Sequence, residues 1–157
     1  MNDLRAVYRR VLLSLAADDL TSYDPEGFMP EVGRRIADLV DATLEAGLAL
    51  ARRDIDPRGR IPFAIIAMGK TGARELNYIS DVDVVYVAEA GADGDERSAL
   101  EIATRLASAT ASACSGPGSE APLWTVDANL RPEGPNGALV RTVESHPQYG
   151  DTWAQTL

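Results

Sequence analysis

Two short apolar runs, separated by a glycine turn and a pair of carboxylates, restrict the fold of this chain more than any other feature. The stretch from Ala64 to Val87 reads A-I-I-A-M-G-K-T-G-A-R-E-L-N-Y-I-S-D-V-D-V-V-Y-V. The first run, Ile61 to Met68, has the length and β-branched content of a buried strand. It stops at Gly69-Lys70-Thr71-Gly72, where two glycines permit tight turning and close approach of backbone to a ligand. Ser80-Asp81-Val82-Asp83 then leads into the second run, Val84 to Val87. Side chains alternate along a strand, so Asp81 and Asp83 point the same way at its mouth. Two carboxylates on one face beside a glycine turn offer oxygen ligands to a hard divalent cation such as Mg²⁺. A cation there would hold the phosphates of a nucleotide.

Other readings compete for the same residues. Met68-Gly69-Lys70-Thr71 matches the end of a P-loop, but the first glycine of that pattern falls on Ala64, inside the apolar run. A residue in an extended strand cannot open a phosphate-cradling loop. The Asp-x-Asp pair also resembles a phosphatase nucleophile pair, in which the apolar strand precedes the aspartates; here it follows them. The plainest alternative is a hairpin-like turn with solvated aspartates, since Asp and Ser are common turn formers. A further carboxylate downstream, Asp127 in Trp124-Thr125-Val126-Asp127, favours the metal reading. If its strand-like segment pairs beside the one opened by Asp81 and Asp83, three carboxylates converge, enough for two Mg²⁺ ions. The competing role for Asp127 is a strand-end partner for Arg131.

At 157 residues the chain is long enough for one domain with a sizeable core. Its net charge of −9 argues against general binding to nucleic acid or an anionic membrane, because nothing offsets phosphate repulsion over the surface. Cys114, the only cysteine, allows neither an internal disulfide nor a cysteine-based zinc site. A reducing cytoplasm is the expected compartment, and the small neighbours of Cys114 suit a packed hydrophobe better than a nucleophile. No apolar run approaches the roughly 18 residues of a membrane span, and no signal-peptide pattern opens the chain. Lys70 is the only lysine in an otherwise arginine-based sequence, and it sits in the glycine turn.

Helical periodicity predicts a first helix over Asp3 to Leu15 and a break from Asp18 to Gly27. A second helix is expected from Pro30 to about Arg53. One or two helical turns are expected within Gly72 to Tyr78, aiming backbone N–H groups at an anion near Lys70. A small-residue helix spans Ser98 to Ala113. Pro122 to Leu130 reads as a third strand and Ala138 to Val140 as a short fourth, with a turn at Arg131 to Gly137 between them. The whole is expected to be one unit: residues 1–60 helical, 61–145 the sheet core with its motifs, and 146–157 the start of a helix cut short.

Gly69-Lys70, Ser80-Asp81-Val82-Asp83 and Val126-Asp127 together resemble the nucleotidyltransferase superfamily that includes DNA polymerase beta. The longer strings M-G-K-T-G-A-R-E-L-N-Y-I-S-D-V-D from Met68, V-D-A-N-L-R-P-E-G from Val126 and R-T-V-E-S-H from Arg141 narrow the likeness. They resemble the bacterial family of bifunctional glutamine synthetase adenylyltransferases and adenylyl-removing enzymes, over roughly Ile61 to Trp153. The resemblance implies an α/β fold of the α+β type, a mixed sheet flanked by helices. It implies Asp81, Asp83 and Asp127 as catalytic, metal-binding residues. Gly69, Lys70, Gly72, Ser80 and Arg131 are the implied nucleotide-binding set. Two Mg²⁺ ions, ATP or ADP and inorganic phosphate are the implied cofactors and substrates. Glutamine synthetase is the implied protein substrate, with a small nitrogen-signalling regulatory protein as a further partner. Members carry two such domains in a much longer chain, one attaching AMP to a tyrosine and one removing it by phosphorolysis. Glu75-Leu76-Asn77-Tyr78 looks more like the removing half, while Asn129 stands where many members have arginine. On this reading the chain is an excised or truncated catalytic core. The alternatives are the attaching half, or a module of this fold that binds nucleotide or partner without turnover.

Overall fold

The computed structural model describes residues 2–90, 95–131 and 133–145. The expected segment 146–157 lies outside them. The element order is α1 (Asn2–Leu20), α2 (Pro25–Ile55), β1 (Phe63–Ala67), α3 (Gly69–Ala73), β2 (Val82–Ala88), α4 (Glu96–Ser115), β3 (Val126–Asp127), a 3₁₀ turn (Gly134–Asn136) and β4 (Val140–Thr142). Among the described residues no helix is long and apolar enough to cross a membrane.

The fold is a mixed α/β arrangement centred on β2. Its residues Val84 to Ala88 pair antiparallel with β1, Val82 and Asp83 pair parallel with β3, and Tyr86 to Ala88 pair parallel with β4. A strand has only two edges, so β3 and β4 share the one that β1 leaves free. The result is a mixed, open four-stranded sheet, consistent with a nucleotidyltransferase-like fold.

Alternation along β2 divides its side chains between two environments. Val82, Val84, Tyr86 and Ala88 join Ile36, Val40 and Leu44 of α2 and Ala103 and Ala107 of α4 in one core. Phe63 stacks on Tyr86 with ring centroids 5.8 Å apart. The other face of β2 carries Asp83, Val85 and Val87. The helices α2 and α4 therefore cover one side of the sheet, and Asp83 points away from them, toward Gly69 at the start of α3.

The second helix begins earlier than its periodicity suggests. Asp24 caps it, accepting from the Gly27 amide at 3.0 Å, and Pro25 occupies the first turn. Pro30, expected as the start, lies inside the helix instead. Lying past the first turn, it forgoes the one intrahelical hydrogen bond that an amide at this position would donate to the Glu26 carbonyl. At the other end Asp56 is buried and accepts from the Arg52 guanidinium at 2.7 Å and from the Arg60 and Ile61 amides. That cluster hands the chain from α2 to β1.

A buried arginine joins α1 to the far end of the chain. Arg5 is 0% exposed and donates to the carbonyls of Ser112, Ala113, Gly116 and Glu120 at 2.7–3.0 Å. The first three belong to the C-terminal turn of α4 and its cap, where carbonyls lack helical partners and partial negative charge collects. The guanidinium thus satisfies the helix end without a carboxylate. One turn on, Arg9 pairs with Glu120 at 3.0 Å and donates to the carbonyls of Ala121 and Pro122. Between them Tyr8 meets Trp124 edge-on, centroids 6.1 Å apart. Replacing Arg5 with Met strands several buried carbonyls, so Arg5→Met is expected to cost about 3 kcal/mol or more. That corresponds to a fall of roughly 6–12 °C in thermal midpoint, read by calorimetry or circular dichroism.

Candidate active site

The glycine turn follows β1 directly. Met68 remains extended and its amide donates to the Asp83 carbonyl at 2.9 Å, so β1 and β2 stay joined up to the turn. Gly69 then adopts φ +51°, a left-handed conformation that costs side-chain-bearing residues roughly 1–2 kcal/mol. A Cβ at Gly69 would stand 2.7 Å from the Asp83 carboxylate, which is below van der Waals contact. A Cβ at Gly72 would stand 2.6 Å from the Ala67 carbonyl oxygen. Both glycines are therefore required by close approach, the first of the Asp83 side chain and the second of backbone. The helical turn expected over Gly72 to Tyr78 instead occupies Gly69–Ala73 and ends at Arg74 in the left-handed conformation (φ +60°). Lys70 projects from it, exposed to solvent.

The expected second strand, Val84 to Val87, begins two residues earlier, at Val82. Asp83 is thus inside the ladder and Asp81 immediately before it. The expected third strand, Pro122 to Leu130, shrinks to Val126 and Asp127. Those two residues suffice to fix the register: Val82 faces Val126 and Asp83 faces Asp127. Register partners in neighbouring strands share a face, so the two carboxylates stand side by side, both partly exposed. Asp127 also accepts from the Asn129 amide at 2.7 Å, which orients its carboxylate at the strand end.

Asp81 is exposed at the mouth of β2. Ser80 is engaged locally, its hydroxyl donating to Asn77 Oδ1 at 3.0 Å and accepting from the Asn77 amide at 3.3 Å. Arg131 does not pair with Asp127. Its guanidinium donates to the carbonyls of Ala128, Pro135 and Gly137 at 2.6–3.2 Å and closes its own turn. Ala64, where a P-loop needs its first glycine, lies in β1 opposite Val87. Cys114 is 0% exposed, and burial pushes its thiol up to about 11, with Arg5 pulling weakly the other way.

Among the described residues no group of three His, Cys, Asp or Glu side chains stands ready to hold a metal ion. The backbone enforces a pair, Asp83 and Asp127. Neighbouring carboxylates repel one another when no cation lies between them. An all-oxygen pair beside a glycine whose missing Cβ leaves room for the Asp83 carboxylate fits a hard divalent cation.

The segment from Arg74 to Ser80 is tied down at several points. Arg74 pairs with Asp38 and Asp41 of α2, and Leu76 is buried in the core. The Tyr78 hydroxyl donates to Asp19 of α1 at 2.8 Å. Desolvation and that hydrogen bond to a carboxylate push the phenol up to about 12, so it stays a donor at neutral pH. Neither the Arg5 brace nor the Asp19 tie is visible in local sequence pattern; both span distances of 59 residues or more.

The family model for glutamate-ammonia ligase adenylyltransferase matches residues 1–157. Among curated relatives, a bifunctional glutamine synthetase adenylyltransferase/adenylyl-removing enzyme of Leifsonia xyli subsp. xyli is 49% identical over 97% of this chain and 16% of its own length. The protein of that name from Streptomyces coelicolor is 49% identical over 98% of this chain and 15% of its own length. The one from Bifidobacterium longum is 42% identical over 97% and 14%. The chain thus spans 14–16% of the length of these relatives.

Two outcomes check the geometry of the site. Gly69→Ala is expected to lower stability by about 1–2 kcal/mol in urea unfolding, from the left-handed penalty alone. Cys114 is expected to resist a thiol reagent in the folded protein and to react on unfolding, followed by the absorbance of the released thiolate.

Proposed function

The chain belongs to the glutamate-ammonia ligase adenylyltransferase family, and on that premise we propose that it is a Mg²⁺-dependent nucleotidyltransferase domain acting on glutamine synthetase. The direction proposed is removal of AMP from an adenylylated tyrosine by inorganic phosphate. The observation that carries the reading is the register pairing of Asp83 with Asp127 beside Gly69. The family match and the names of the relatives supply the substrate class.

A phosphate oxygen forms a bond to the adenylyl phosphorus, and the bond from that phosphorus to the tyrosyl oxygen breaks. The products are ADP and a free tyrosine, whose oxygen takes up the proton that the attacking hydrogenphosphate gives up. Asp83 and Asp127 are the residues that would hold Mg²⁺, with Asp81 two residues earlier as a further ligand. When bound there, the metal supplies positive charge to the phosphate oxygens and stabilises the leaving tyrosyl oxygen. Lys70, exposed on the turn, offsets the charge that two anions bring to one cleft. Gly69 and Gly72 keep the turn close to the sheet. Ser80 works through the loop that it fastens rather than by direct contact, and Arg131 holds the segment after Asp127 in place.

The choice of removal over attachment rests on Glu75-Leu76-Asn77-Tyr78, whose resemblance is to the removing half. Attachment uses the same carboxylates and releases pyrophosphate from ATP; the description of the matched family favours it as the second reading. A small nitrogen-signalling protein is proposed as the regulator and the cytoplasm as the compartment.

Adenylylated glutamine synthetase and labelled phosphate distinguish the directions. Label is expected in ADP, and pyrophosphate from ATP with unmodified synthetase and no labelled ADP would reverse the assignment. Asp83→Asn and Asp127→Asn are each expected to abolish Mg²⁺-dependent nucleotide binding in calorimetric titration. The metal-free fold is expected to be unchanged or slightly more stable, because carboxylate repulsion is relieved. A clear loss of stability in either variant would make these aspartates structural.

A further inference from the structure

The short helix that carries Gly69 and Lys70 has little packing of its own. Thr71 is buried, whereas Gly69, Lys70, Gly72 and Ala73 are exposed. A helix of five residues is far below the length that holds itself together in water. Its front end is fixed by the Met68 amide on the Asp83 carbonyl and by the close approach of Gly69 to the Asp83 carboxylate. Its back end is fixed by the residues that follow. The Glu75 amide donates to the Lys70 carbonyl at 2.9 Å, and the Arg74 amide to the Thr71 carbonyl at 3.2 Å. From Arg74 to Leu76 the backbone lies directly on α2. A Cβ at the buried Gly33 would stand 3.3–3.5 Å from the Leu76 carbonyl, the Glu75 Cα and the Arg74 carbonyl.

Arg74 is an unfavourable residue for the backbone it occupies. A left-handed residue just past a helix is the position that glycine fills most readily, and Arg74 holds it at φ +60° with a full side chain. That side chain makes a fork. One terminal nitrogen of the guanidinium reaches Asp38, and the other reaches Asp41 at 3.4 Å. Asp38 and Asp41 are three residues apart on α2 and share one face, so a single cation joins two like charges. All three side chains are about half exposed, a setting in which ion pairs add little to global stability. The effect of the fork is therefore local: it ties the end of α3 to α2. We propose that Arg74 is a positioning residue that, through Asp38 and Asp41, holds the Gly69–Lys70 turn against Asp83 and so sets the affinity of the site for a phosphate anion without touching it. The affinity part rests on the phosphate chemistry proposed above; the clamp itself rests on the contacts just given.

The test compares the intact enzyme with Arg74→Ala, Arg74→Lys and the double variant Asp38→Asn/Asp41→Asn. Hydrogen exchange of the metal-free protein is read by mass spectrometry over residues 68–76 and 82–88, alongside the thermal midpoint. The KM for inorganic phosphate is measured with adenylylated glutamine synthetase. In Arg74→Ala and in the double variant, exchange over 68–76 is expected to quicken roughly three- to ten-fold, the range of two exposed ion pairs. Exchange over 82–88 and the thermal midpoint are expected to hold. The KM for phosphate is expected to rise by a similar factor in both, with kcat little changed, and Arg74→Lys is expected to recover part of each loss. The double variant is decisive because a field effect has the opposite sign there: removing two negative charges strengthens the binding of an anion. A lowered KM in the double variant therefore overturns the clamp, as does unchanged exchange over 68–76. Quickened exchange over both segments with a lowered midpoint overturns it in favour of a general structural role. Failure of Arg74→Lys to recover anything places the effect in the backbone at position 74 and also overturns it. If the unsubstituted enzyme releases no ADP from adenylylated synthetase and phosphate, the proposed direction fails, and the exchange comparison still decides whether Arg74 holds the turn.

Discussion

The parallel pairing of β3 with β2 is the contact on which the candidate site depends, and two residues of ladder are too few to hold it alone. The Val82 amide reaches the Thr125 carbonyl at 3.0 Å, and the ladder continues only through Asp127. What fixes β3 lies elsewhere. The Leu123 amide donates to the Cys114 carbonyl at 3.0 Å, returning the chain to the end of α4. Arg5, Tyr8 and Arg9 of α1 grip the segment from Ser112 to Trp124 along its length. On the far side Arg131 closes the turn after Asp127. The first helix therefore positions a carboxylate more than 100 residues away, without touching it.

β2 supplies the other half of the arrangement through its two-sided character. One face is apolar and buried against α2 and α4, which anchors the strand. Alternation then obliges Asp83 to face away from the helices, where water or a cation can reach it. A one-residue slip would bury Asp83 in the core at a cost of several kcal/mol for an uncompensated charge, so the apolar face protects the register of the acidic one. Gly69 completes the pairing of turn and strand, since its missing Cβ leaves room for the Asp83 carboxylate.

The local parts of this design are legible in the sequence. The glycine turn, the Asp81 and Asp83 pair and the strand that follows all lie within 20 residues, and their periodicity and turn chemistry agree. Helix positions in α1, α2 and α4 follow from apolar spacing, although α2 begins at Pro25 because the cap is Asp24 rather than anything near Pro30. Less is legible around Asp127. The run Pro122 to Leu130 has strand-like composition, but its first part is held by arginine side chains of α1 instead of a ladder, and its last part turns back on Arg131. Arg5 itself reads as one charge on an amphipathic helix; only the fold reveals that its partners are the orphaned carbonyls of α4.

The central claim is that Asp83 and Asp127, brought abreast by that short ladder, share one divalent cation. Paramagnetic broadening of backbone amides on titration with Mn²⁺ in place of Mg²⁺ tests it most directly. The account predicts that amides around Asp81 to Asp83, around Asp127 and in the Gly69–Lys70 turn broaden together at the same low metal concentration, while those of α1 persist. Broadening confined to the β2 end, with the Asp127 region unaffected, would contradict it.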